Sequence, residues 1–281
     1  GAFYQSEHPQ ELIVSLMDGL SRVRVEVDMI KFSGPAFPNI DNRLMSLQLV
    51  ARGLTDAAVF TAAGEAVEPA EILFGHPVLL QRGSFRPITN ITLDMLYCAS
   101  ERMLAETKIE EKKLAVVMEM SLKNLMSSDK VDHEDFMHRV DILGALGHPV
   151  MISNFSASHA LTTYLRRYTK LPVGYAMGLG TLRSIFQEEY YEDLAGGILE
   201  ALGTLLQGDT ALYVYPMWDQ EKGATVSAEQ LEVAPHLRNL YHHLLDNHRI
   251  HSLPVFDPVD LPIMPGDILQ RIQTGDVSWE R

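Results

Sequence analysis

The feature that most constrains the fold is a repeated alternation between short apolar runs and longer segments of helical periodicity. The apolar runs, each of which predicts a strand, lie at residues 77–81, 113–122, 148–154, 173–178 and 211–217. Helical periodicity marks the segments 93–104, 132–146, 158–168 and 181–206. Strands that lack a polar face are typical of a sheet that is covered on both sides. The pattern therefore predicts an α/β fold with a mainly parallel sheet and flanking helices.

The first 70 residues do not follow this alternation. Residues 10–31 and 43–54 have helical periodicity, whereas residues 57–67 have the pattern of a strand pair with a turn at Gly64. We therefore predict a helical N-terminal extension over residues 1–70. A Rossmann-like α/β domain with an open, doubly wound sheet is predicted to follow over residues 71–281.

The composition excludes several classes of function. The formal net charge is −14 and no basic stretch offsets it, so non-specific nucleic-acid binding is not expected. No apolar run reaches the roughly 20 residues of a membrane-spanning helix, and we expect no membrane partner. Cys98 is the only cysteine, which excludes an internal disulfide and fits a cytoplasmic location.

The main candidate site follows the predicted strand 77–81. Gly83 allows a tight turn or a close approach of the backbone to a ligand, and it lies between Arg82 and Arg86. The two guanidinium groups can bind phosphate or carboxylate, and the next helix begins with free amides that attract anions. Further polar groups at this turn come from Ser84, Thr89, Asn90 and Thr92. The alternative is an arginine-capped turn whose charges pair with local Asp or Glu.

Two other predicted strands end in polar turns that we expect beside this loop. Lys123 is a candidate phosphate ligand, and Glu119 is a candidate for holding a ribose or, through water, Mg²⁺. Asn124 lies in the same turn, and Ser153 and Asn154 end the following strand. Ordinary capping and solvated charges are the alternative. The segments 131–141 and 242–251 are rich in His and carboxylates, but we interpret them as helix ends and assign no metal ligand.

The loop also resembles a known family. Gly83, Ser84, Phe85, Pro87, Thr89 and Asn90 match the G-S-F-N-P-I-T-N-x-H loop of nicotinamide or nicotinate mononucleotide adenylyltransferases, members of a nucleotidyltransferase superfamily. Thr92 stands where that family has its His. The whole chain is also similar to a bacterial family whose members carry conflicting labels, adenylyltransferase and TonB-dependent receptor.

The resemblance implies a Rossmann-like fold, ATP as a candidate substrate and Mg²⁺ as a candidate cofactor. A phosphorylated small molecule would be the partner, and adenylyl transfer to a mononucleotide would be the reaction. Arg82, Arg86 and Lys123 would then be the catalytic residues. Two alternatives remain open: a catalytically silent structural, assembly or regulatory module that keeps the fold, and an enzyme for another small anionic substrate. A homo-oligomer is compatible with all three hypotheses.

Overall fold

The computed structural model describes residues 9–15, 26–127, 130–221, 223–255, 261 and 265–280. The strands are β1 (Ala57–Phe60), β2 (Ala66–Val67), β3 (Val78–Arg82), β4 (Ala115–Ser121), β5 (Met126–Ser127), β6 (Lys130–Val131), β7 (Val150–Ser153), β8 (Val173–Gly178), β9 (Thr210–Tyr215), β10 (Met217–Asp219), β11 (Ala224–Val226) and β12 (Ile250–Ser252). The α-helices are α1 (Pro9–Ser15), α2 (Asn42–Ala51), α3 (Pro69–Leu73), α4 (Asn90–Thr107), α5 (Leu122–Leu125), α6 (His133–Ala145), α7 (Ser158–Tyr168), α8 (Leu179–Ile185), α9 (Gly197–Leu205), α10 (Arg238–Asp246) and α11 (Pro265–Thr274).

The chain divides into two compact units. The first unit contains the residues up to Phe74 together with Val117–Ser156, and the second contains Gly75–Val116 together with the residues from Ala157 onward. The predicted boundary at residue 70 lies close to the change of unit after Phe74. The return of residues 117–156 to the first unit has no counterpart in the sequence-based division.

The second unit is built on four parallel strands in the order β12–β9–β8–β3. Helix α4 packs on β3, β8 and β9, and α8 packs on β8 and β9. The strands are buried along nearly their whole length, as the continuous apolar runs predict. Because the strands are parallel, their carboxyl ends share one edge and their amino ends share the other.

The strands of the first unit follow the order β4–β7–β1–β2. β4 and β7 are parallel, whereas β1 is antiparallel to both β7 and β2. Helices α2 and α6 pack on β7, and α2 and α3 pack on β1. The predicted strand pair around Gly64 is confirmed as β1 and β2. The predicted α/β class, with mainly parallel strands and flanking helices, is also confirmed.

The predicted helix over residues 10–31 is wrong over residues 26–31. Residues 9–15 are helical, residues 16–25 lie outside the described part of the chain, and residues 26–33 contain no helix. The side chain of Asn42 explains why the chain is not helical there, because its Oδ1 accepts from Phe32 N at 2.7 Å and its Nδ2 donates to Phe32 O at 3.1 Å. Phe32 then packs with Leu12 and Leu49 in a small apolar cluster. This tertiary contact overrides the local helical periodicity.

The position of α4 depends on Gly174 of β8. A Cβ atom at this residue would lie 2.8 Å from Tyr213 Cε2, 2.9 Å from Leu79 Cδ1 and 2.9 Å from Met103 Sδ. All three neighbouring side chains are buried. Because glycine has no side chain at this position, Met103, in the second half of α4, lies directly against the sheet.

We expect Gly174→Ala to destabilise the protein by about 1–3 kcal/mol, because the surrounding side chains are packed too closely to move aside. Urea unfolding followed by circular dichroism would measure the change. Gly203→Ala is the matched control: it adds the same methyl group inside α9, where no atom lies within 4 Å, and should stabilise by about 0.5–1 kcal/mol. Equal unfolding midpoints for the two variants would contradict this account of how α4 packs.

Candidate functional site

The loop that the sequence predicts as the main candidate site lies at the carboxyl ends of the parallel strands of the second unit. β3 ends at Arg82, residues 83–89 form the connection, and α4 begins at Asn90. Arg82 is half-buried, whereas Ser84 and Arg86 are exposed. The N-terminus of α4 adds the partial positive charge of a helix start to that of the arginines. The loop therefore gathers positive charge at the carboxyl end of β3.

The ring of Phe85 packs against the turn at Gly83. Its ring is 8% exposed, and its φ of 49° lies in the left-handed region that is uncommon for a residue with a side chain. A Cβ atom on Gly83 would lie 2.9 Å from Phe85 Cε1. Glycine at residue 83 is therefore required for the ring of Phe85 to cover the backbone of the turn. Pro87 follows a cis peptide bond with Arg86.

Gln81 joins the end of β3 to the first turns of α4. It is 3% exposed, and its Nε2 donates to Thr92 O at 3.0 Å and to Met95 Sδ at 3.4 Å. The hydroxyl oxygens of Thr89 and Thr92 lie 3.2 Å apart, within hydrogen-bond distance. Sequence reasoning missed Gln81, although one polar residue in an otherwise apolar strand was a usable signal.

A second polar group missed by the sequence analysis lies at the same edge of the second unit. Tyr215, the last residue of β9, donates its hydroxyl hydrogen to Asp94 Oδ2. Cys98 Sγ lies 3.5 Å from the other oxygen of Asp94. Burial, together with the negative charge of Asp94, raises the pKa of the Cys98 thiol to about 11. The thiol is therefore neutral at physiological pH and is not a nucleophile.

The other candidate residues belong to the first unit, at the carboxyl ends of β4 and β7. Glu119 is fully buried, and Ser153 Oγ donates to its Oε1 at 2.5 Å. The same Oγ accepts from Phe155 N at 3.3 Å. The hydroxyl group of Ser153 thus supports a buried carboxylate that would otherwise be costly. The structure brings Glu119 and Ser153 together, which is consistent with their placement on neighbouring parallel strands.

Three further candidates lie directly after β4 and β7. Lys123 is exposed on α5, and Asn124 accepts through its main-chain oxygen from Arg139 Nη1 at 3.0 Å. Asn154 has an exposed side chain, and its main-chain N donates to Asp56 O at 2.9 Å. The loop and this group lie in different units, so their joint participation in one site stays a prediction.

Within the described residues, no group of three or more His, Cys, Asp or Glu side chains is arranged to bind a metal ion. Across the same residues, every helix is too short or too polar to cross a bilayer.

Comparisons with known proteins assign no family to the chain. No family model matches the chain, and no curated protein matches it. Among solved structures, a mutant of PPC decarboxylase is similar at 15% sequence identity, over 73% of this chain and 98% of that chain, with a TM-score of 0.28. A similarity this low carries no argument about function. The α/β assignment rests on the strands and helices described above.

We expect Gly83→Ala to destabilise the protein by about 1–3 kcal/mol, because the new methyl group would displace the buried ring of Phe85. The change would be measured as a shift in urea unfolding. Gly180→Ala, which adds a methyl group on α8 with no atom within 4 Å, should leave stability unchanged or slightly raised. An undiminished stability of Gly83→Ala would show that Phe85 does not require glycine at residue 83.

We also expect Cys98 to react slowly with iodoacetamide at pH 8. A pKa raised to about 11 leaves roughly one thiol in a thousand ionised at that pH, and the rate should rise as the pH approaches 11. Mass spectrometry of timed samples would measure the rate. Asp94→Asn should accelerate the reaction, because it removes a negative charge that disfavours the thiolate. Fast alkylation of the folded wild-type protein at pH 8 would contradict the prediction.

Proposed function

We propose that the loop from Arg82 to Asn90 binds the phosphate group of a nucleotide or of another phosphorylated metabolite. The observation that carries the proposal is the position of two arginines and a glycine turn between the carboxyl end of β3 and the start of α4. Ligands of open α/β sheets bind beyond the carboxyl ends of the strands. Anions are also favoured at a helix N-terminus, because its amide groups lack acceptors within the helix.

The side chains of the loop would contribute to binding in different ways. Arg86 and Ser84 are exposed, so both can reach a ligand that arrives from solvent. Arg82 is half-buried and supplies positive charge closer to the backbone. One guanidinium group can donate two parallel hydrogen bonds to a phosphate group, and the opposite charges strengthen both bonds. In a protein of net charge −14, this local positive charge is what would concentrate an anionic ligand at the loop.

Transfer of an adenylyl group to a mononucleotide is the finer form of the proposal. Here Arg82 and Arg86 would stabilise negative charge on the α-phosphoryl group of ATP as a phosphate oxygen of the acceptor bonds to it and the bond to the β-phosphate breaks, which releases pyrophosphate. Lys123 would serve the same purpose if it shares the site. When bound, Mg²⁺ would neutralise phosphate oxygens, and Glu119 would hold it through water if Glu119 shares the site. The resemblance of residues 83–90 to the adenylyltransferase loop supports this form.

Binding without catalysis is the second candidate, and Thr92 favours it. The related family has a His at this position, whereas the hydroxyl group of Thr92 cannot accept and release a proton near neutral pH as an imidazole can. That hydroxyl group already lies within hydrogen-bond distance of Thr89. Such a protein would sense or store a nucleotide, or would use the fold to contact other subunits.

A thermal-shift experiment tests the binding proposal. The protein would be heated with ATP, NAD, nicotinate mononucleotide or inorganic phosphate, each with and without Mg²⁺. A ligand that binds the folded state raises the melting temperature by mass action. We expect one nucleotide to do so, and Arg86→Gln to weaken its binding at least about tenfold. Arg86→Lys should retain part of the affinity, because it keeps the charge but loses the paired hydrogen bonds.

The matched control is Arg238→Gln, which removes an exposed arginine from the start of α10. It should shift with the ligand as the wild-type protein does. The absence of a shift with every ligand, or an equal shift in Arg86→Gln, would overturn the proposal. A nucleotide that binds without formation of pyrophosphate would favour binding over transfer.

A further inference from the structure

The second unit contains a large cleft at the end of the sheet opposite to the loop. Its volume is about 810 Å³, and its wall includes Val173 and Ala211, which lie at the amino ends of β8 and β9. The loop after β3 lies at the carboxyl ends of the same parallel strands. This cavity, which we call the amino-end cleft, is therefore separate from the site proposed above, and the following inference does not depend on that site.

Two arginines without an acidic partner meet at one turn beside the cleft. Arg249 lines the cleft, and its Nη1 donates to Gly208 O at 2.9 Å and to Thr210 O at 3.2 Å. Arg166 approaches the same turn from α7, where its Nη2 donates to Gln207 O at 3.2 Å. Among the described residues, no carboxylate lies within ion-pair distance of either guanidinium group. Main-chain carbonyls satisfy their hydrogen bonds but do not neutralise their charge.

Arg166 carries its positive charge in a buried position. Arg166 is only 8% exposed, and its Nε has no hydrogen-bond partner among the described residues. Burial lowers the pKa of Arg166, the charges of Tyr175 and Asp209 act in the opposite direction, and the nearby charge of Arg249 lowers the pKa further. An arginine nevertheless remains protonated at neutral pH. Uncompensated charge in a poorly hydrated position is costly, so the turn favours an anion that can approach it.

The acids of the cleft leave one positive charge uncompensated. Glu106 is engaged by Arg102, whose Nε donates to its Oε1 at 2.5 Å. His251 Nδ1 lies 3.1 Å from the same oxygen, but burial lowers the pKa of His251 and favours its neutral form. Asp209 is the other acid of the wall. The wall itself therefore carries two acids and two arginines, and Arg166, at the turn beside the wall, brings the guanidinium groups to three.

A column of parallel rings forms another part of the wall. The rings of Tyr213 and His251 are 5.1 Å apart with an angle of 12°, and those of His251 and His248 are 6.0 Å apart with an angle of 8°. Tyr213 and His251 are buried, whereas His248 is exposed. His248 follows Asn247, the C-cap residue of α10, and has a φ of 54° at a position where glycine is the usual residue. The column thus ends in an accessible flat surface.

We propose that the amino-end cleft binds a small aromatic carboxylate, with its carboxylate on Arg249 and its ring against His248. One nitrogen of the Arg249 guanidinium group, Nη1, donates to the turn. The planar arrangement of its other N–H groups matches the geometry of a carboxylate. A flat ring continues the column that begins at Tyr213. A monoanion balances the one uncompensated positive charge, whereas a doubly charged phosphate would also be repelled by Glu106 and Asp209.

The probe for the test is 4-fluorobenzoate, titrated into the full chain and followed by fluorine NMR. We expect saturable binding to the wild-type protein. Arg249→Gln should weaken binding about tenfold or more, because it removes a charged hydrogen-bonding partner. His248→Gly removes the ring at a backbone position where glycine is favoured, so it should fold normally and still weaken binding several-fold.

Two comparisons assign the binding to this cleft. Arg86→Gln, at the other end of the sheet, should bind the probe as the wild-type protein does. Acetate, which has the carboxylate without the ring, should displace the probe only weakly. The proposal is overturned if the wild-type protein does not bind the probe saturably, or if His248→Gly binds it with unchanged affinity. Loss of binding in Arg86→Gln alone would assign the anion to the loop instead. Should Arg249→Gln fail to fold, His248→Gly still decides the result.

Discussion

The close contact between α4 and β8 at Gly174 is the constraint on which both ends of the second unit depend. α4 has 18 residues, so it is about 27 Å long and extends past both ends of the strands beneath it. Its first turn is joined to β3 by Gln81, beside the proposed phosphate loop. Its last turns carry Arg102 and Glu106 into the amino-end cleft. If a methyl group at residue 174 displaced α4, both the proposed phosphate loop and the amino-end cleft would therefore be disturbed.

Much of the fold could be predicted because its signals are local and repeated. The helix predicted over 158–168 and the strand predicted over 173–178 agree with α7 and β8 at every residue. Alternation between buried strands and helices also predicted the parallel sheet, since parallel strands need long connections. The position of the candidate loop followed from the same pattern. Its residues stand out because glycine and arginine interrupt an apolar run just before a helix.

The rest depended on contacts between residues that are far apart in the chain. Residues 26–31 have helical spacing, yet the side chain of Asn42 pairs with the main chain of the next residue, Phe32, and the segment is not helical. β12 is three residues long, too short to produce a recognisable apolar run. The amino-end cleft combines Glu106 with Tyr213 and His251, which no local pattern relates. Sequence periodicity shows which face of an element is buried, but it does not show which element covers that face.

The direction of α4 gives the two ends of the second unit opposite requirements for binding an anion. At the loop, the exposed amides of the helix attract negative charge, so side chains need to add only part of the attraction. At the cleft, the same helix ends, and the carbonyl groups of its last turn carry partial negative charge that repels an anion. Guanidinium groups must therefore overcome the field of the helix there. Two of them, Arg102 of α4 and Arg249 just before β12, line the cleft of this strongly acidic protein, and Arg166 of α7 lies at the turn beside it.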